Sequence, residues 1–214
     1  FGLRSYYRPT QFSRISLEYH TTNEFRRGGN KFDLQPHETD ITEQTKHIIN
    51  SGGLTYDVFF NEYRHKLSVY GSAQHIDRNS YYGAEENPNA YGKTKDLTAV
   101  GGAMYVGNMD DCLFSPATFT GGLEYNYNSL HDVMMGYNRD LRQNVRVISG
   151  FAQNEWKMTY FTLLAGFRLD KHNLIDNVIF SPRVNLLWKP SDKLQGRLTW
   201  STGFRAPQAY DEDL

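Results

Sequence analysis

Apolar and polar residues alternate along much of this chain with a period of two. In TFTGGLEYNYN, starting at Thr118, Phe119, Gly121, Leu123, Tyr125 and Tyr127 share one side of an extended backbone, and Thr120, Gly122, Glu124 and Asn126 share the other. YFTLLAGFRLDKH sets Phe161, Leu163, Ala165, Phe167 and Leu169 against Thr162, Arg168 and Asp170. LQGRLTWSTGF sets Leu194, Leu198, Trp200 and Phe204 against Gln195, Arg197, Thr199 and Ser201. Successive side chains on a strand point to opposite faces, so each segment predicts a strand with one apolar and one polar face. No helical stripe of comparable quality is present, and the fold class is all-β. The pattern predicts nine strands at about 11–26, 45–60, 65–77, 95–106, 115–127, 144–156, 160–172, 178–189 and 194–204, with LRSYYR at 3–8 the end of a tenth. Many are longer than the usual ~5–6 residues and approach the ~9–11 that cross a bilayer at a tilt.

The links between these strands carry a second regularity. NEYR (61–64), GNMDDCLF (107–114), KMT (157–159) and PSDK (190–193) are compact. Between them lie 27–44, 78–94 and 128–143, long and polar, and one short exception at 173–176. Alternate links of an antiparallel meander fall at opposite ends, so nearly all long links share one end. Outer-membrane barrels have this asymmetry, with short periplasmic turns and long outside loops. Tyr105, Tyr125, Tyr127, Trp156, Trp188 and Trp200 fall at or near strand ends, as the aromatic girdles of such barrels do. The plainer reading is that aromatic residues are good strand formers with half-buried faces.

Composition narrows the classes further. Aromatics make up 14% of the chain against an apolar total of 39%, which means many amphipathic rings and little continuous apolar sequence. No window approaches the ~18 apolar residues of a membrane helix, which excludes a helical membrane protein. The formal net charge of -1 gives no reason to expect a nucleic-acid partner. The first residues lack a basic start, apolar stretch and small-residue cleavage site, so no secretory leader is expected within this chain. Cys112 is the single cysteine and has no partner for a disulfide or CxxC pair. The seven histidines show no HxH or HExxH spacing, so no metal site or cofactor is expected. The glycine pairs form no phosphate loop, and no nucleophile elbow is present; the chain is not expected to be an enzyme. A β-rich hydrolase would need carboxylates paired across a cleft.

The last stretch, SPRVNLLWKPSDKLQGRLTWSTGFRAPQAYDEDL (181–214), carries a family resemblance. Its strand–turn–strand unit through Lys189 to Lys193 is followed by Gly203, Phe204, Arg205, Ala206 and Pro207, then Asp211, Glu212, Asp213 and Leu214. In this it resembles the TonB-dependent outer-membrane receptors, most of all those of Bacteroidetes-type bacteria. Residues 1–180 resemble the family only in pattern. The resemblance implies that the chain is part of a 22-stranded transmembrane β-barrel with a plugged lumen, of which 1–214 is a partial barrel domain without plug or later strands. It implies a Gram-negative outer-membrane receptor for energy-coupled uptake of a scarce bulky nutrient: most of all a ferric siderophore, then a corrinoid or haem. Its implied partners are its own plug domain, an inner-membrane TonB-type energy transducer and outer-membrane lipid. Arg168, Asp170, Arg183, Asn185, Arg197 and Thr199 would then face the lumen, against the plug or along the ligand path. Tyr81, Tyr82, Tyr91, Met134, Met135 and Tyr137 would contact ligand from outside loops. The competing class is a secreted soluble β-sandwich binding module, such as a glycan binder, which would bury its apolar faces between two sheets.

Overall fold

The computed structural model describes residues 1–204. Gly203 and Phe204 lie beyond the last strand, while Arg205, Ala206 and Pro207 fall outside the described residues. Ten strands follow in chain order: β1 (Gly2–Tyr7), β2 (Ser13–Gly29), β3 (Ile41–Phe60), β4 (His65–Ala84), β5 (Tyr91–Cys112), β6 (Ser115–Met134), β7 (Arg139–Lys157), β8 (Phe161–His172), β9 (Ile179–Ser191) and β10 (Leu194–Ser201). They form one sheet in sequential order, every neighbouring pair antiparallel. No second sheet packs against it among the described residues, so the two-layer sandwich is overturned. The sheet is also open: β1 and β10 each have one paired neighbour.

All nine predicted strands are present, and LRSYYR falls in β1 except for Arg8, just past its end. The links differ from expectation. The three long ones shrink to 30–40, 85–90 and 135–138, because β3 to β7 run for 19 to 22 residues. The predicted boundaries sit where outward residues stop being apolar, but the backbone ladder continues past that point. Thr94 and Arg78, for instance, remain register partners well beyond Leu97. The 107–114 link is likewise mostly strand, closing after an irregularity between Met109 and Cys112.

Pairing register fixes which residues share a face. Tyr70, Gly102, Glu124, Ser149 and Asp170 form one cross-strand row, and Arg14, Asp57, Ser68, Met104, Gly122, Phe151 and Arg168 form the next. These rows define the polar face. The opposite face carries Leu54, Leu67, Val69, Ala103, Leu123, Ile148, Leu163 and Leu186. On β5, outward positions from Leu97 to Met109 contain no Asp, Glu, Lys or Arg, and the same holds on β6 from Ala117 to Tyr127. Among the described residues only Tyr81, Ala90, Ala117 and Met134 are buried apolar side chains, whereas Leu123 is 68% and Ile148 62% exposed. A chain that folded in water would bury those side chains, each contributing about 1.5–3 kcal/mol. Here the polar residues are the buried ones: Asp57, Asp132 and Ser149 are each 1% exposed.

Candidate functional site

The polar face is organised around carboxylates. Glu124 accepts hydrogen bonds from Tyr70 Oη at 2.9 Å, Asn126 Nδ2 at 3.0 Å and Arg168 Nη2 at 3.0 Å. Arg168 also donates through Nη2 to Ser149 Oγ at 2.7 Å and through Nε to Asp170 Oδ1 at 2.8 Å. Ser149 in turn donates to Asp170. Tyr70, Glu124 and Arg168 stand on β4, β6 and β8, two strands apart at each step, and their long side chains reach across the small intervening positions. Gly102 lies between Tyr70 and Glu124 in the row. A Cβ there would come within 2.7 Å of both Leu123 O and Tyr70 Oη, so any side chain would force Tyr70 away.

A second centre lies on β2 to β4. Asp57 accepts from Arg14 Nη2 at 2.8 Å and Ser68 Oγ at 2.7 Å, with Lys66 Nζ at 3.0 Å. Arg4 and Glu18 pair beside it, and this group lines an open recess of about 360 Å³. A third centre sits beyond the apolar band: Asp132 receives Thr94 Oγ1 and has Arg139 Nε at 2.7 Å and Arg78 Nη2 at 3.5 Å. Buried carboxylates need such multiple donors, since an uncompensated charge removed from water costs several kcal/mol.

Of the lumen candidates, Arg168, Arg183 and Thr199 line one open recess of about 630 Å³ together with Tyr70 and Glu124. Asp170, Asn185 and Arg197 lie on the same face by register but outside that recess. Arg183 and Arg197 make no side-chain hydrogen bond or ion pair among the described residues. Sequence reasoning missed Tyr70, Asp57, Asp132 and their partners as clusters. Their signal is a charged or hydroxyl residue at the polar parity of consecutive strands, readable once register is known.

The aromatic candidates all fall on the outward face. Tyr105 joins Phe60, His65 and Phe119 in a run of ring contacts toward the compact turns. Trp156 stacks on Phe114 and donates Nε1–H to Cys112 O at 3.1 Å. Trp188 and Trp200 pair in register with outward Phe161 and Val184. Tyr125 and Tyr127 lie toward the opposite end, where Tyr127 Oη reaches Asn144 Oδ1 at 3.4 Å.

The outside-loop candidates are placed differently from expectation. Tyr81, Tyr82, Tyr91 and Met134 belong to strands β4, β5 and β6, because the ladders extend past the apolar band; only Met135 and Tyr137 occupy a connecting turn. Tyr81 is fully buried, its hydroxyl donating to Asn87 O at 3.0 Å and its ring edge-on to Tyr91 at 4.9 Å. Met134 is 5% exposed. Tyr91, Met135 and Tyr137 are exposed, and Tyr137 Oη donates to Tyr82 O. Loop His37 meets Tyr91 Oη at 2.8 Å. Among the described residues no cluster of three or more His, Cys, Asp or Glu could hold a metal ion.

Comparison with known proteins follows the same architecture. Residues 2–213 match the family of TonB dependent receptor-like β-barrels. A search of curated protein sequences finds no relative. Among solved structures, the chain is similar to the siderophore receptor PirA from Pseudomonas aeruginosa, with a TM-score of 0.75 at 15% identity over 98% of this chain and 34% of that one. It is also similar to a ferric enterobactin receptor (PfeA) mutant from Pseudomonas aeruginosa, at 0.68 and 16% over 94% and 32%. The unliganded ferric citrate transporter FecA matches at 0.54 and 12% over 89% and 33%. The chain thus spans about a third of the length of these solved receptors.

Proposed function

The chain belongs to the TonB-dependent receptor-like β-barrel family, and from that premise we propose that it forms part of the barrel wall of a Gram-negative outer-membrane receptor for energy-coupled nutrient uptake. Members of this family are transporters and not enzymes. The observation that carries the reading is the inversion of the two faces: an outward band free of charged residues and an inward face of bonded carboxylates and guanidinium groups. Lipid accepts the first, and a plugged, wet lumen accepts the second.

Within that barrel, residues 1–214 are a partial domain, completed by further strands and a plug. Arg168, Asp170, Arg183, Asn185, Arg197 and Thr199 face the plug or the ligand path. Tyr105, Tyr125, Tyr127, Trp156, Trp188 and Trp200 lie at or near the bilayer interfaces, and exposed Tyr91, Met135 and Tyr137 stand at the outer rim. A ferric siderophore is the favoured cargo, supported by the named ligands of two of the similar receptors. Release of the cargo needs an inner-membrane energy transducer acting through the plug.

The test begins with fractionation of source cells, using antibody raised to this chain. The expected result is a species several times larger than 24.8 kDa in the outer-membrane fraction, whose deletion abolishes growth on ferric siderophore as sole iron source. A soluble species of 24.8 kDa would overturn the receptor reading. An outer-membrane species whose deletion leaves siderophore growth intact would overturn the cargo alone.

A further inference from the structure

The outward face changes chemistry abruptly at the end of the apolar band nearer the long links. On β5 to β8 the outward positions beyond Leu97, Tyr127, Ile148 and Leu169 include Lys93, Lys95, Arg142, Arg146 and Lys171, against the single carboxylate Asp140. Register stacks Lys95, His131 and Arg142 in one cross-strand row, sets Arg146 beside Tyr127 and sets Lys171 beside Ile148. On the β4 side the patch is bounded by Asp77, the register partner of Lys95. Lys93, Lys95 and Arg146 are exposed, and none has a side-chain partner among the described residues. Arg142 is 70% exposed, and its one ion-pair partner among the described residues is Asp140, at 3.4 Å.

The inward positions of these same segments are not sorted this way: Asp96 and Asp132 stand there with Arg139. The excess of cations therefore belongs to the outward face alone, continuous with the band that meets lipid and starting at its tyrosine rim. Same-face residues are spaced about 6.7 Å along a strand, so the row of Lys95 lies two such steps beyond Ala99 and Tyr127. Cations within one or two steps of a hydrocarbon edge stand at headgroup depth, and long Lys and Arg side chains bend toward it. We propose that this patch binds the phosphorylated headgroups of outer-leaflet lipid, holding a shell of anionic lipid against β5 to β8. The proposal rests on the outer-membrane reading above.

The test uses the receptor purified in mild detergent from outer membranes, with native mass spectrometry reading bound lipid. The probes are bisphosphorylated lipid A, the same lipid dephosphorylated, and inorganic phosphate. At about 1 kcal/mol, or fivefold, per cation near an anionic surface, the bisphosphorylated lipid is expected to bind at least tenfold more tightly than the dephosphorylated one. The variant Lys93→Gln/Lys95→Gln/Arg142→Gln/Arg146→Gln should remove that preference, and Lys93→Arg/Lys95→Arg should keep it. Equal binding of the two lipids by the unaltered receptor would overturn the proposal without requiring any variant to fold. So would displacement by millimolar inorganic phosphate, which would mark a free-phosphate pocket, or co-purification of an acidic protein lost with the same four cations. These outcomes leave the receptor reading standing, because they are read on protein already recovered from the outer membrane; absence from that membrane overturns both.

Discussion

Arg168 serves three acceptors on three strands, and its removal would leave Glu124 and Asp170 facing each other's charge with fewer donors. Arg168→Met is expected to lower stability by about 1–3 kcal/mol, measured by denaturant unfolding of the vesicle-inserted receptor. Adding Glu124→Gln should recover part of that loss, so a double-mutant cycle reads a coupling of about 0.5–3 kcal/mol; strict additivity would show that the contact contributes nothing. In the 30–40 link, the hydrogen bond from Lys31, followed by that from Asn30, holds the Asp40 carboxyl below the ordinary carboxylate range, and Asp40 raises the Lys31 ammonium in return. A lowered folded-state value means the tether is fully present above the ordinary range and is lost as pH falls through the depressed one. Protection of backbone amides around Asn30 and Ile41 should therefore persist into moderately acidic solution. Lys31→Met should move the Asp40 titration, followed by carboxyl-carbon NMR, back up toward the ordinary range.

At the scale of single strands, the two faces of β6 predict opposite tolerance. Leu123→Arg places a charge in the middle of the outward band, where about 2–4 kcal/mol is lost at a bilayer midplane; Thr120→Arg, on the inward face three residues earlier, should cost far less. Unfolding of both variants in vesicles decides it, and equal losses would contradict the assigned faces. These faces were legible in the sequence because Phe119, Leu123 and Tyr125 alternate with Thr120, Glu124 and Asn126. The outer halves of β3 to β7 were not. There Lys95, His131, Arg142, Asp96 and Asp132 make both faces polar, so the period-two signal vanishes while the ladder persists. The clusters were illegible for a related reason. Which serine or tyrosine reaches a given carboxylate depends on register, and Arg14 and Asp57 lie too far apart in sequence for any local pattern to join them. The family run from Gly203 to Pro207 was legible as a motif, of which Gly203 and Phe204 lie past the last strand and the other three residues fall outside the described ones.

For the molecule as a whole, the open sheet presents two strand edges, at β1 and β10. Unpaired N–H and C=O groups along an edge template further pairing, and the outward band offers no surface that water tolerates. The chain of 214 residues produced by itself in aqueous buffer is therefore expected to assemble into large species by light scattering. A monodisperse monomer there would count against an exposed lipid face. The strands also differ in reach. β5, at 22 residues, extends about 70 Å, of which a bilayer occupies only about 9–11 residues. β8 stops at His172, level with Val147, while β7 continues up to Arg139. The rim accordingly has a parapet over β3 to β7 and a low sill at β8. A body resting against the inward face at that end is therefore walled along five strands and clear of the wall at β8.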